Sequence, residues 1–160
     1  MAGLCADAPA TVAGAMNLFH DTSLLPRRYV SNRIMQMSTK LECINPILIV
    51  RDIKVSLDYY VRVLGFEKAE WVTEESAFAM VSRDGFGIYL SENPTKHSKA
   101  HVWIGVEDVG PLHEEFMAAG AHIEKPPTNY SWAYEMVVAD PDGHALRIGS
   151  DPKKDVPFND

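Results

Sequence analysis

Tyr130, Trp132 and Tyr134 alternate through the polar segment KPPTNYSWAYEM, residues 125–136. Aromatic faces offer flat, rigid contact area to a planar or cationic ligand. One such ring is readily explained by core packing, but an aromatic cluster in a polar loop is less so. Trp103, in HVWIGVED at residues 101–108, is expected to face the same interior. Arg147 and Glu135 supply opposite charges that would orient a bound molecule. His101 adds an imidazole, a side chain suited to proton transfer. In an enzyme, Arg147 would then hold an anionic intermediate. The other histidines form no shared cluster in the sequence. His20 lies near the N-terminus and His97 in the linker SENPTKHSKA. His113 and His122 lie on or after a helix, and His144 directly follows a turn glycine.

These residues sit on a duplicated framework. NPILIVRD at 45–52 and HVWIGVED at 101–108 both end in Val-x-Asp. Each opens with a short apolar run of strand type. Asp52 and Asp108 then stand where a helix wants an N-cap. Leu57, Tyr60, Val61 and Leu64 form one apolar helical stripe, and Leu112, Phe116 and Ala119 form another. Gly65 and Gly120 close the helices. FEKAEWV and AHIEKP read as strands. SAFAMVS and FGIYLS flank Asp84-Gly85, and YEMVVA and HALRIG flank DPDG, so each half ends in a hairpin. The order β-α-β-β-β occurs twice, in half-units 43–95 and 99–151. Asn45, Ile47 and Ile49 share one strand face, as do His101, Trp103 and Gly105. Tyr89 and Arg147 both lie four residues after the glycine of their Asp-Gly turns. A half of about 50 residues buries too little surface alone. Two halves sharing a core would enclose a concave space for a ligand.

The chain has 160 residues and a net charge of -7, with residues 1–40 slightly basic and the remainder acidic. An acidic domain repels phosphate backbones, which excludes nucleic acid as a partner and favours a neutral or cationic small molecule. No stretch approaches the length of a membrane span. Cys5 and Cys43 have neither disulfide-framework nor metal-type spacing, and are expected to be unpaired thiols in the cytoplasm. Residues 1–40 read as a poorly ordered extension, 41–152 as the folded domain and 153–160 as a C-terminal tail. Met37 offers an alternative start, and an organelle transit peptide is a further reading of the extension.

VRDIKVSLDYYVRVLGF, VEDVGPLHEEFMAAGA and VVADPDGHALRIGS together resemble the vicinal oxygen chelate superfamily, which includes glyoxalase I, extradiol dioxygenases and bleomycin-resistance proteins. The resemblance covers roughly residues 43–151. It implies an α+β fold of two βαβββ repeats forming a curved mixed sheet. Metal-dependent members hold their ligands at positions that correspond here to Asn45, Tyr89, His101 and Arg147. Only His101 is a good ligand, whereas a divalent site needs about three. Arg147 is a permanent cation. The resemblance therefore points to the metal-free, bleomycin-resistance-like branch. The expected function is sequestration of an aromatic or cationic small molecule, with antibiotic tolerance as its outcome. Asn45, Tyr89, His101, Trp103, Trp132 and Arg147 are the expected ligand-binding residues, with no cofactor and no metal. The alternative is a glyoxalase- or lyase-type enzyme with an altered site, and a third reading is a module that kept the fold without the ligand. A homodimer is implied by the resemblance alone.

Overall fold

The structure is a computed structural model that describes residues 43–160 except His97. The extension expected at residues 1–40 lies outside the described residues. The first half runs β1 (Ile47–Val50), α1 (Ile53–Asp58), a π-helical turn (Tyr59–Val63), β2 (Glu67–Lys68), β3 (Phe78–Arg83) and β4 (Phe86–Glu92). The second runs β5 (His101–Gly105), α2 (Val109–Ala118), β6 (His122–Asn129), β7 (Tyr134–Ala139) and β8 (Ala145–Ser150). Each half folds into a four-stranded mixed sheet, in the orders β1-β4-β3-β2 and β5-β8-β7-β6. Within each, the first strand pairs parallel to the last and the other pairings are antiparallel. The fold is the α+β arrangement of two repeated βαβββ units.

Local chemistry explains why the elements begin and end where they do. The Asp52 carboxylate accepts from the backbone N–H groups of Lys54 and Val55, and Asp108 accepts from that of Gly110. These bonds satisfy donors that a helix start leaves open. Gly65 and Gly120 close the helices with φ of +71° and +80°, which a side chain would oppose. Asp84 and Gly85 both have positive φ and join β3 to β4 in a tight two-residue turn. The second hairpin differs. Its loop spans residues 140–144 and is closed by the Asp140 N–H donating to the His144 carbonyl.

Two expectations are modified. FEKAEWV does not form one strand, because β2 covers only Glu67–Lys68 before the chain turns at residues 69–72. The turn releases Trp71 to stack on Phe78. The first helix does not stay α-helical. Leu64 donates to the Tyr59 carbonyl, one residue further back than in an α-helix, and the widened turn leaves both Tyr60 and Leu64 fully buried.

One apolar core runs through both halves and includes Leu48, Val50, Leu90, Met136, Leu146 and Ile148. Residues 153–160 dock against the second half. The buried Asn129 side chain donates to the Lys153 and Val156 carbonyls and accepts from the Lys153 N–H. Among the described residues no helix is long and apolar enough to cross a membrane. Cys43 is disulfide-bonded, so the expectation of an unpaired thiol fails there.

Candidate functional site

β5 alternates cleanly. His101, Trp103 and Gly105 are exposed on one face, while Val102 and Ile104 turn toward the core. β8 lies beside it, with Trp103 opposite Arg147. β7 adds Glu135 opposite Gly149 and two residue pairs along from Arg147, on the same face. Parallel pairing thus brings together residues more than forty positions apart.

Arg147 is the centre of this face. Its guanidinium donates to both oxygens of Glu135, at 2.9 Å each. Glu135 is only 2% exposed, so the two-pronged bond supplies the partner that a buried carboxylate requires. The same bond raises the Arg147 pKa above its ordinary value. The guanidinium also lies 5.9 Å from the Trp103 ring centre and 5.7 Å from that of Trp132. Trp132 stacks on Tyr130 at 5.3 Å with the rings 13° from parallel. The Lys125 ammonium bonds the Tyr130 hydroxyl and sits 4.8 Å from its ring centre. Trp103 and Trp132 remain 52% and 55% exposed. The product is a cation-centred aromatic surface with its charge already paired.

Gly149 makes this packing feasible. A Cβ there would fall 2.3 Å from the Trp103 ring, so a side chain at 149 would displace the indole. A glycine inside a strand often marks such a close approach, and this was the available sequence signal for the contact.

Four of the six expected residues, His101, Trp103, Trp132 and Arg147, therefore belong to the second half. His101 and Arg147 line one open cavity of about 1320 Å³ with Glu135, Lys99 and Lys125. Tyr89 and Asn45 belong to the first half. Tyr89 stacks on Phe78 at 5.2 Å, and Phe78 stacks on Trp71 at 6.2 Å. Asn45 precedes β1, bonds the Cys43 sulfur at 3.5 Å, and lines a different cleft. Tyr134 leaves the aromatic cluster and packs beside Lys153.

The four positions that carry metal in the resembled enzymes do not fit a metal centre. Arg147 there is a cation bound to Glu135. Among the described residues no three His, Cys, Asp or Glu side chains gather as a candidate metal site.

A polar seam between the halves borders this cavity. The imidazole of His144, 1% exposed, bridges both halves. Its Nδ1 accepts from the Ala100 N–H at 3.0 Å, which leaves Nε2 to donate to the Ile49 carbonyl at 2.9 Å. Arg51 donates to Asp142 at 2.7 Å and to the Pro141 carbonyl at 2.6 Å. Tyr60 donates to Asp140, and Tyr59 to the Ala139 carbonyl. Burial pushes the Asp140 carboxyl above its usual value despite donors from His144, Tyr60 and Asp142. Burial also pushes Asp142 up, but bonds from Arg51 and Ser56 outweigh it and hold that carboxyl below its usual value. Nothing local in the sequence marks these contacts, which exist only once the halves meet.

A family model for the glyoxalase/bleomycin resistance protein/dioxygenase superfamily matches residues 40–148. The chain belongs to this superfamily. No curated protein matches it. Among solved structures it is similar to TioX from Micromonospora sp. ML1, with a TM-score of 0.60 and 22% identity over 68% of this chain and 98% of TioX. A superfamily member from Sphaerobacter thermophilus has a TM-score of 0.59 and 21% identity over 69% of this chain and 98% of its own. An integron cassette protein from the Halifax Harbour sewage metagenome has a TM-score of 0.59 and 22% identity, covering 69% of this chain and 99% of its own. At these identities the likeness speaks for the fold alone.

Proposed function

We propose that this superfamily member is a metal-free small-molecule binding protein of the bleomycin-resistance-like kind. Its ligand is planar and aromatic and rests on the Trp132–Tyr130 surface beside Trp103. The observation that carries this reading is the Arg147 guanidinium near both indoles with its charge offset by Glu135. Such a surface is rigid before any ligand arrives, which lowers the ordering cost of binding.

The adjoining cavity bears on the ligand's charge. Lys96 and Lys99 line it without an ion-pair partner among the described residues, while Glu135 and Asp142 are engaged by arginines. The local field is therefore more basic than the net charge of -7 implies. This supports an aromatic ligand with an acidic substituent over a cationic one. Sequestration in the cytoplasm by a homodimer, with antibiotic tolerance as the outcome, completes the proposal.

The test is a tryptophan-fluorescence titration of the full chain with 2-naphthoate, acridine orange and bleomycin. Saturable quenching by at least one is expected, strongest for the naphthoate. Trp132→Ala should weaken that binding about tenfold, in line with ~1–2 kcal/mol for a lost aromatic contact. No saturable quenching by any of the three would sink the proposal. Stoichiometric zinc, nickel, manganese or iron in the purified protein would remove its metal-free part. Light scattering that reports a monomer at all concentrations would remove the dimer.

A further inference from the structure

The duplication provides an internal control for a second cavity. At the seam already described, the loop 140–144 packs against β1 and the start of α1. At the opposite seam, the equivalent Asp84-Gly85 turn faces β5 and the start of α2. The second seam holds a cleft of about 910 Å³, within the ~300–1,000 Å³ usual for pockets that enclose a drug-sized ligand.

The walls of this cleft are apolar side chains from both halves, among them Phe66, Ile88, Ile104, Leu112 and Phe116. Leu48 and Val50 of β1 are sealed in the core. Their counterparts, Ile104 and Val106, are only half-buried and line the cleft. Phe86, the counterpart of His144, is 71% exposed at its edge. Apolar surface from several elements is thus left open to water at one concave place, which favours an apolar occupant.

The rim fixes the sign of the charge that the occupant carries. Arg51 and Asp142 attract each other across the closed seam. The matching positions at the open seam are Glu107 and Asp84, both acidic. Asp108 and Glu115 also line the cleft, and the one lining cation is Arg83. Arg83 is committed to Glu115 at 3.0 Å and to the Leu64 carbonyl at 2.6 Å, and it meets Asp84 only at 3.8 Å. Lys153 engages Asp108 from outside. Glu107 has no cationic partner among the described residues.

We infer that this cleft is a second ligand site, for an amphiphile with an apolar body and a cationic head. The body lies between Ile104, Leu112 and Phe86, and the head meets Glu107 and Asp84. Trp103 borders this cleft as well as the aromatic surface around Arg147, but the apolar walls and acidic rim here give the site a different chemistry, and Trp132 and Arg147 do not line it.

The experiment is an NMR titration of the full chain with n-octylammonium, with octanoate as the charge-reversed control and sedimentation run in parallel. Saturable shifts at Val102, Ile104 and Leu112 are expected for the amine, with octanoate at least tenfold weaker. Glu107→Arg places a guanidinium opposite Asp84, as Arg51 stands opposite Asp142, and should weaken the amine at least tenfold. Glu107→Gln should weaken it by a smaller factor, and Trp132→Ala should leave it unchanged. The inference is overturned if the amine does not bind, if octanoate binds equally well, or if Glu107→Arg and Glu107→Gln both bind as the wild type does. It is equally overturned if the shifts follow a change in mass, which would make the cleft a contact with a second copy.

Discussion

Where the halves meet, two equivalent turns do opposite things. The five-residue loop 140–144 carries His144 and Asp142 into the first half and bonds Ile49, Ala100, Arg51 and Ser56. The two-residue turn at Asp84-Gly85 carries Phe86 and a second acid to the other seam, and a cleft remains there. The strands and helices around the two turns share one plan. Closure is therefore decided by a few residues of loop length and by the exchange of one arginine for one glutamate. Duplication supplies two copies of a seam, and one can hold the protein together while the other is left for a ligand.

The sharpest way to break this contrast is to remove the imidazole from the closed seam. His144→Ala leaves the Ala100 N–H and the Ile49 carbonyl without their partner. A loss of about 3 kcal/mol in urea unfolding is expected, because unsatisfied buried groups cost ~1–3 kcal/mol each. A loss below about 1 kcal/mol would show that the seam is held by packing alone.

Arg51→Met should have a smaller effect, about 1 kcal/mol, since Arg51 is half exposed and its pair is partly screened. Its clearer signature is in pH. Asp142 has a folded pKa below the ordinary 3.8, so its contribution is present above that value and is lost as pH falls through the folded pKa. Asp140 is shifted upward and has the opposite sign, its contribution being lost as pH rises through its folded value. Arg51→Met changes the first and leaves the second nearly intact. The wild type should lose more stability than the variant on acidification below pH 4, and equal losses would refute the role of the Arg51–Asp142 pair.

The smallest effect is expected from transplanting the histidine. Phe86→His at the open seam should change stability by no more than about 0.5 kcal/mol, the usual range for an exposed site. Its two-residue turn does not carry the side chain into the opposite half. A gain above 1 kcal/mol would mean that residue type, and not loop length, closes the seam.

The sequence made the repeats, caps and turn glycines legible because each depends on neighbours within a few residues. Asp52, Gly65 and Asp84-Gly85 act locally, and the period of two placed His101 and Trp103 on one face. The adjacency of Trp103 and Arg147 also follows from pairing the first and last strands of one repeat. The role of His144 is not legible, because a histidine after a turn glycine has no special meaning until the opposite half arrives. The sequence pattern extends β2 too far because Trp71 has the character of a strand residue, yet its ring stacks on Phe78. Asn45 and His101 begin matching segments, but in space one borders the apolar cleft and the other the basic cavity.

The contact between Gly149 and the Trp103 ring restricts the routes by which such a surface can arise. In the first half the same two places hold Ser91 and Ile47, a combination that tolerates a side chain at each. An indole at 103 tolerates none at 149, because a Cβ would lie 2.3 Å from the ring. The constraint runs one way: any side chain at 149 evicts the ring, whereas a smaller residue at 103 obstructs nothing. The aromatic surface is therefore exposed to change at a position that never touches the ligand.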